Sequence, residues 1–140
     1  MQPINHTQAA QSFGFQSIGK STDFLCPMCP DSNLSVCELH GTQVCGCGSC
    51  AGFLIDGASL SDLVIALRID YRGKQDKPEL LDSHELDQFI ACPPCGNRMY
   101  THPYHGPGNV VINSCSDCKL IWLDAGEFGK IIRAPGKRGG

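Results

Sequence analysis

The hydrophobic pattern changes its period several times along the chain, and each change marks an expected element. Residues 1–22 are polar and rich in Gln and Ser, with neither a twofold nor a 3.6-residue repeat, so they are expected to form a flexible tail. Phe13, Phe15 and Ile18 interrupt that polarity and can dock on the body or on a partner; the plain tail is the simpler expectation. Leu34 to Val44 is expected to form a hairpin turning at His40-Gly41. Leu60, Leu63, Val64 and Leu67 fall at i, i+3, i+4 and i+7, which predicts an amphipathic helix capped by Asp56 or by Ser59, with Ser59-x-x-Asp62 resembling a capping box. Tyr71 to Pro78 is a charged linker containing Gly and Pro. A further helix is predicted from a cap at Ser83, with Leu86, Phe89 and Ile90 on one face; packed on the first helix, it would join the two halves. Strands are predicted at Arg98 to Thr101, Val110 to Ile112 and Leu120 to Leu123, with a turn over His105 to Asn109. At the end, Asp124 as cap and Glu127 three residues on predict a helix carrying Phe128, Ile131 and Ile132 on one face, stopped by Pro135.

These elements are short, and the chain is loop-rich, with 16 Gly and 9 Pro in 140 residues. Units of roughly 40 to 60 residues bury too little surface to stand alone and are usually held by metals or disulfides. The ten cysteines meet that need. Eight fall in pairs: Cys26-Pro27-Met28-Cys29, Cys47-Gly48-Ser49-Cys50, Cys92-Pro93-Pro94-Cys95 and Cys115-Ser116-Asp117-Cys118. The N-terminus shows no basic region followed by an apolar run, so no export signal is expected, and nowhere do 18 apolar residues run together to span a membrane. A cytoplasmic location follows as the expectation, where thiols stay reduced and such pairs read as zinc ligands. A Cys-x-x-Cys turn makes a metal knuckle because its amides fold back onto the sulfurs and stabilise thiolate charge. Pro after the first cysteine fixes φ, and Gly96 after the second permits a positive φ; Pro30 occupies the equivalent place behind Cys29 and makes that knuckle less favourable.

The pairs also repeat. Cys26 and Cys92 are 66 residues apart and Cys47 and Cys115 are 68 apart. Placing Cys50 on Cys118 puts Leu54 on Trp122, Ile55 on Leu123, Asp56 on Asp124 and Leu60 on Phe128. The expected fold is therefore a small metal-bound α+β chain of tandem zinc ribbons, short antiparallel sheets on four-cysteine knuckles, each followed by a helix. Its expected organisation is a tail over 1–22, a diverged ribbon plus helix over 23–70, a charged linker over 71–82, a helix plus ribbon with C-terminal helix over 83–134, and a basic tail over 135–140. Two zinc ions per chain are expected, one on Cys26, Cys29, Cys47 and Cys50 and one on Cys92, Cys95, Cys115 and Cys118. The first set has surplus donors between its pairs, Cys37, His40 and Cys45. Spacing alone leaves open whether Cys45 replaces Cys47, or whether Cys37 and Cys45 are small buried hydrophobes; the repeat selects Cys47 and Cys50.

The stretch from Cys92 to about Ile132, with Cys-Pro-x-Cys-Gly, a hairpin, Cys-x-x-Cys and then Ile121-Trp122-Leu123-Asp124-Ala125-Gly126-Glu127-Phe128, closely resembles the small bacterial transcription factor zinc-finger, a ribbon named for its likeness to that of transcription factor IIB. Cys26 to about Leu67 resembles a diverged copy, keeping the cysteines and Asp56 but with Leu54 for Trp, Ala58 for Gly and Ser59 for Glu. The resemblance implies a zinc-binding ribbon with a helical tail and suggests a link to transcription. Fold likeness does not by itself assign a role.

Charge narrows the function further. The net charge is −3, unlike the basic balance of most nucleic-acid binders. Acid excess lies over Asp56 to Ile90 (eight acids, four bases), whereas Lys119 to Gly140 holds five bases and two acids. The expected role is a non-catalytic protein-interaction or adaptor module. The alternative is a transcription-linked ribbon touching nucleic acid or RNA polymerase through Lys119, Lys130, Arg133, Lys137 and Arg138. A four-thiolate site has no open position for water, which argues against hydrolysis. His102 and His105 are expected on the hairpin surface, Cys37 and His40 lack a third orienting group, and no βαβ setting supports thioredoxin-like chemistry. Trp122 is expected to cover the zinc site and pack on the following helix.

Overall fold

In the computed structural model, which describes residues 14–77, 85–104 and 110–135, the strands of both halves join into one antiparallel sheet. The strands are β1 (Gln16–Leu25), β2 (Asn33–Leu39), β3 (Thr42–Gly46), β4 (Phe53–Asp56), β5 (Tyr100–Pro103), β6 (Val111–Cys115) and β7 (Leu120–Leu123), and the helices are α1 (Gly57–Asp70) and α2 (Glu127–Arg133). The sheet order is β1-β2-β3-β4-β7-β6-β5. With β1 set aside, that order is palindromic about the β4–β7 junction. Register at the junction is symmetric too: Leu54 pairs with Trp122, flanked by Phe53 with Leu123 and Ile55 with Ile121.

Alternation along the strands sends successive residues to opposite faces. Phe53, Ile55 and Leu123 turn toward the helices, where they form one core with Leu60, Leu63, Val64, Phe128, Ile131 and Ile132. Phe53 meets Phe128 edge-on at 5.9 Å, an arrangement aromatic rings favour. Leu54 and Trp122 turn the other way and pack with Leu34, Ile90, Met99 and cysteines from both knuckle sets. The β2–β3 hairpin turns at His40 and Gly41, both at positive φ (48° and 84°), as a two-residue turn matching strand twist requires.

α1 begins at Asp56, whose carboxylate accepts from the Ser59 amide at 3.0 Å. Its buried face is Leu60, Leu63, Val64 and Arg68. Leu67, expected on that stripe, is half-buried against the core. Arg68 is 4% exposed and reaches across to the end of α2, donating to the carbonyls of Ile131 (2.8 Å), Ile132 (3.2 Å) and Ala134 (2.9 Å). A guanidinium at a helix C-terminus satisfies carbonyls that lack an intrahelical partner and faces the negative end of the dipole.

Several expectations need correction. Residues 16–22, read as flexible tail, are the first part of β1, which pairs with β2. Their polarity suits an edge strand exposed along nearly its whole length, held by backbone pairing and by bonds such as Thr22 Oγ1 to the Leu34 carbonyl at 2.7 Å. Phe15 docks on the body, edge-on to Phe53 at 6.0 Å; residues 1–13, with Phe13, lie outside the described residues. The helix expected from Ser83 is reduced, among the described residues, to a 3-10 turn over Glu85–Asp87, and Ser83 itself is not described. Beyond that turn the backbone extends to meet the knuckle: Ala91 bridges Arg98 and the Met99 amide donates to the Ile90 carbonyl. Ile90 is buried, while Phe89 is 69% exposed beneath the Arg98 guanidinium at 4.8 Å. The halves are thus joined by β4 with β7 and by α1 with α2, not by the two linker-side helices. The predicted turn at His105 to Asn109 lies outside the described residues.

Candidate metal centres

Each knuckle is a short loop closed by backbone bonds. The Cys47 amide donates to the Gly52 carbonyl and the Cys92 amide to that of Asn97, five residues on in both cases. The chain turns through a left-handed residue just past the second cysteine: Ala51 (φ 63°), Gly96 (φ 77°) and Lys119 (φ 57°). Pro30 cannot adopt that conformation. The first knuckle is accordingly one residue wider, with the Cys26 amide bonded to the Ser32 carbonyl at 2.8 Å.

These turns bring eight of the ten cysteines into two groups, Cys26, Cys29, Cys47 and Cys50, and Cys92, Cys95, Cys115 and Cys118, with the sulfurs of each group within 4.8 Å of one another. A zinc tetrahedron with bonds near 2.3 Å has sulfur–sulfur edges of about 3.8 Å. Cys26 and Cys50 stand 3.7 Å apart, as do Cys95 and Cys115. All ten cysteines are free thiols. The donor set and its dimensions fit zinc at both sites, so the chain has two four-cysteine zinc sites.

Amides aim at the sulfurs as the knuckle geometry demands. Ser49 and Cys50 amides lie 3.4 and 3.5 Å from Cys47 Sγ, Met28 N 3.4 Å from Cys26 Sγ, and Cys118 N 3.5 Å from Cys115 Sγ. Burial opposes ionisation of Cys47, but the Cys50 and Ser49 amides outweigh it and bring its thiol down to about 7. The Cys118 amide likewise lowers Cys115. Cys26 and Cys92 are pushed the other way, chiefly by burial. Backbone amides thus favour the thiolate form at Cys47 and Cys115, the charge a metal ligand carries.

The remaining candidates separate from the metal groups. Cys37 is buried in the helix-side core, Cys45 packs half-buried against the knuckle side, and neither joins a four-sulfur group. His40 is an exposed turn residue. His102 bonds Ser114 Oγ at 2.7 Å and the Pro103 carbonyl at 2.8 Å; His105 is outside the described residues. Among the basic candidates, Lys119 sits in the second knuckle turn and Lys130 is exposed on α2. Arg133 is engaged with Asp76 at 3.3 Å; Lys137 and Arg138 are outside the described residues.

Behind the second site, Trp122, Asp124 and Glu127 interlock. Trp122 is fully buried and its indole N–H donates to Asp124 Oδ1 at 2.9 Å. Asp124 was expected to cap α2 with its side chain; the indole takes that carboxylate instead, and the cap position falls to Gly126 at φ 88°. Half of the expected box does form, with Glu127 Oε1 accepting from the Asp124 amide at 2.7 Å. Two residues escaped the sequence reading. Gly52 lies against the indole, so that a Cβ there would run into the Trp122 ring and come within 3.1 Å of the Leu123 carbonyl oxygen. Arg68, counted only among the four bases of Asp56 to Ile90, lies four residues past Val64, and that spacing is the one sequence signal for its place on the buried stripe.

Fold and sites together define a small α+β protein of two zinc ribbons, each followed by a helix. Residues 91–134 match the family model of the transcription factor zinc-finger, a zinc ribbon of the transcription factor IIB type. The matched segment holds the second four-cysteine group, β7 and α2. No curated protein and no solved structure matches the chain.

Proposed function

We propose that this chain is a non-catalytic adaptor whose two zinc ribbons, the first a diverged copy of the second, present a protein-binding surface in the reducing cytoplasm. The observation that carries this reading is that four sulfurs complete each metal shell, so the metals hold the fold and leave no position for a substrate or an activated water. Eight cysteines gathered as metal ligands fit a compartment that keeps thiols reduced. Among the described residues, no helix is long and apolar enough to cross a membrane. Exposed Phe89 and Tyr100, at 69% and 67%, with Arg98 stacked on Phe89, are the residue types that anchor protein interfaces.

The family match favours a second reading, a transcription-linked ribbon that touches nucleic acid or RNA polymerase. Against direct phosphate contact, Arg133 is already paired with Asp76. The test is capture of partners by the zinc-loaded chain from nuclease-treated host extract, beside a shift assay with mixed DNA and RNA at low salt. A protein other than RNA polymerase, retained by the wild type and lost with Phe89→Ala/Tyr100→Ala, supports the adaptor; RNA polymerase retained in its place supports the rival. A salt-dependent shift, weakening as counterions are restored, replaces it with the rival.

A further inference from the structure

We infer that the two metal sites take up and release zinc as one unit, each stabilising the other through the β4–β7 junction. The inference rests on the two-zinc reading and not on the identity of any partner. Its starting point is that the sites share an interior: Cys26 and Cys47 from one and Cys92 and Cys115 from the other pack in the same cluster with Leu54 and Trp122.

Each knuckle also leans on the opposite half. Two residues past Cys50, Gly52 lies against the ring of Trp122, which belongs to the second ribbon. One residue past Cys118, the Lys119 carbonyl accepts from the Gly57 amide at 3.0 Å, at the start of the first ribbon's helix. On the other face of the sheet, Arg68 of the first half holds three carbonyls at the end of α2. In a four-cysteine knuckle the energy of metal binding is folding energy, so a knuckle that loses its metal loses order. Loss of one knuckle therefore loosens the turn that positions Trp122 or Gly57, and the other site loses part of its wall. Coupling of this kind is reciprocal by thermodynamic necessity.

The test is a titration of the reduced, metal-free full chain with zinc sulfate, followed by native mass spectrometry. Identical independent sites leave about half of the chains with a single zinc at one equivalent, whereas roughly tenfold coupling leaves about a quarter and stronger coupling less. Unequal affinities only raise that population, so a single-zinc value below half supports the inference whatever the two affinities are. Two variants sharpen it: Cys118→Ser should weaken zinc at the first site at least about tenfold, and Cys29→Ser should weaken the second by the same factor. Intact sites that hold zinc as in the wild type overturn the coupling while leaving two zinc sites in place. A wild type that binds fewer than two zinc ions overturns the two-zinc reading itself. A single-zinc population of half or more, together with intact sites unchanged in both variants, overturns the inference.

Discussion

The two ribbons solve one problem with different means. The second is locally well specified: Gly96 supplies the left-handed turn, Trp122 and Asp124 bond to each other, and Glu127 closes on the Asp124 amide. The first lacks these devices, with Pro30 widening its first knuckle where the other copy has Gly96; the second knuckle of each copy turns on a non-glycine, Ala51 at φ 63° and Lys119 at φ 57°. In their place the first ribbon has a helix of 14 residues against 7, an additional edge strand, and Arg68 reaching into its neighbour. The comparison teaches that a ribbon can surrender local quality when a partner surface supplies the missing wall. Leu54 illustrates this. It stands where the other copy has Trp, and the two positions face each other across the junction. One indole, admitted by the bare backbone at Gly52, fills the space that two could not share.

The largest expected effect in either half comes from the metal. Chelation under reducing conditions should abolish the cooperative melt, because zinc binding in such domains supplies about 10–16 kcal/mol of folding free energy. Acid should act in the same direction. Bound zinc holds the cysteines as thiolates and so depresses their effective pKa values, and its stabilisation is present at neutral pH and lost as pH falls. Zinc release followed with a chromophoric chelator between pH 8 and 5 checks the sign.

Next comes the junction. Trp122→Ala should cost about 3–5 kcal/mol, measured by denaturant melting of the zinc-loaded chain, and Leu54→Ala less. If Leu54→Ala proves the costlier, the junction is not centred on the indole. Arg68→Met removes a buried guanidinium bonded to three carbonyls and should cost about 2–3 kcal/mol, with hydrogen exchange rising first at the end of α2. Asp56→Ala should cost about 1 kcal/mol through loss of the cap, read from the same melts.

The smallest effects probe the knuckle turns directly. Ala51→Gly should stabilise the first ribbon by about 1 kcal/mol, and Gly96→Ala should destabilise the second by a similar amount, since both positions adopt φ above 60°. A null result at Ala51 would show that its neighbours, and not its own conformation, set the stability of that turn.

The metal chemistry was legible in the chain itself, because a Cys-x-x-Cys turn is a local object whose geometry is fixed by the four or five residues that form it. The assignment of the eight sulfurs, the His40-Gly41 turn, β7 and the helices behind each ribbon all follow from spacing of that kind. The joining of the halves was not legible. A helix was expected at 83–91 from the period of Leu86, Phe89 and Ile90, but extended pairing at Ala91 and burial of Ile90 behind the knuckle prevail over that weak propensity. β1 escaped because an edge strand exposed along its length leaves no alternation to read. Arg68 and Gly52 escaped because their partners lie 63 and 70 residues away. Short-range rules determined which groups bind metal; only the folded sheet decided that both sites share one interior, since an antiparallel junction brings together residues that no local period connects.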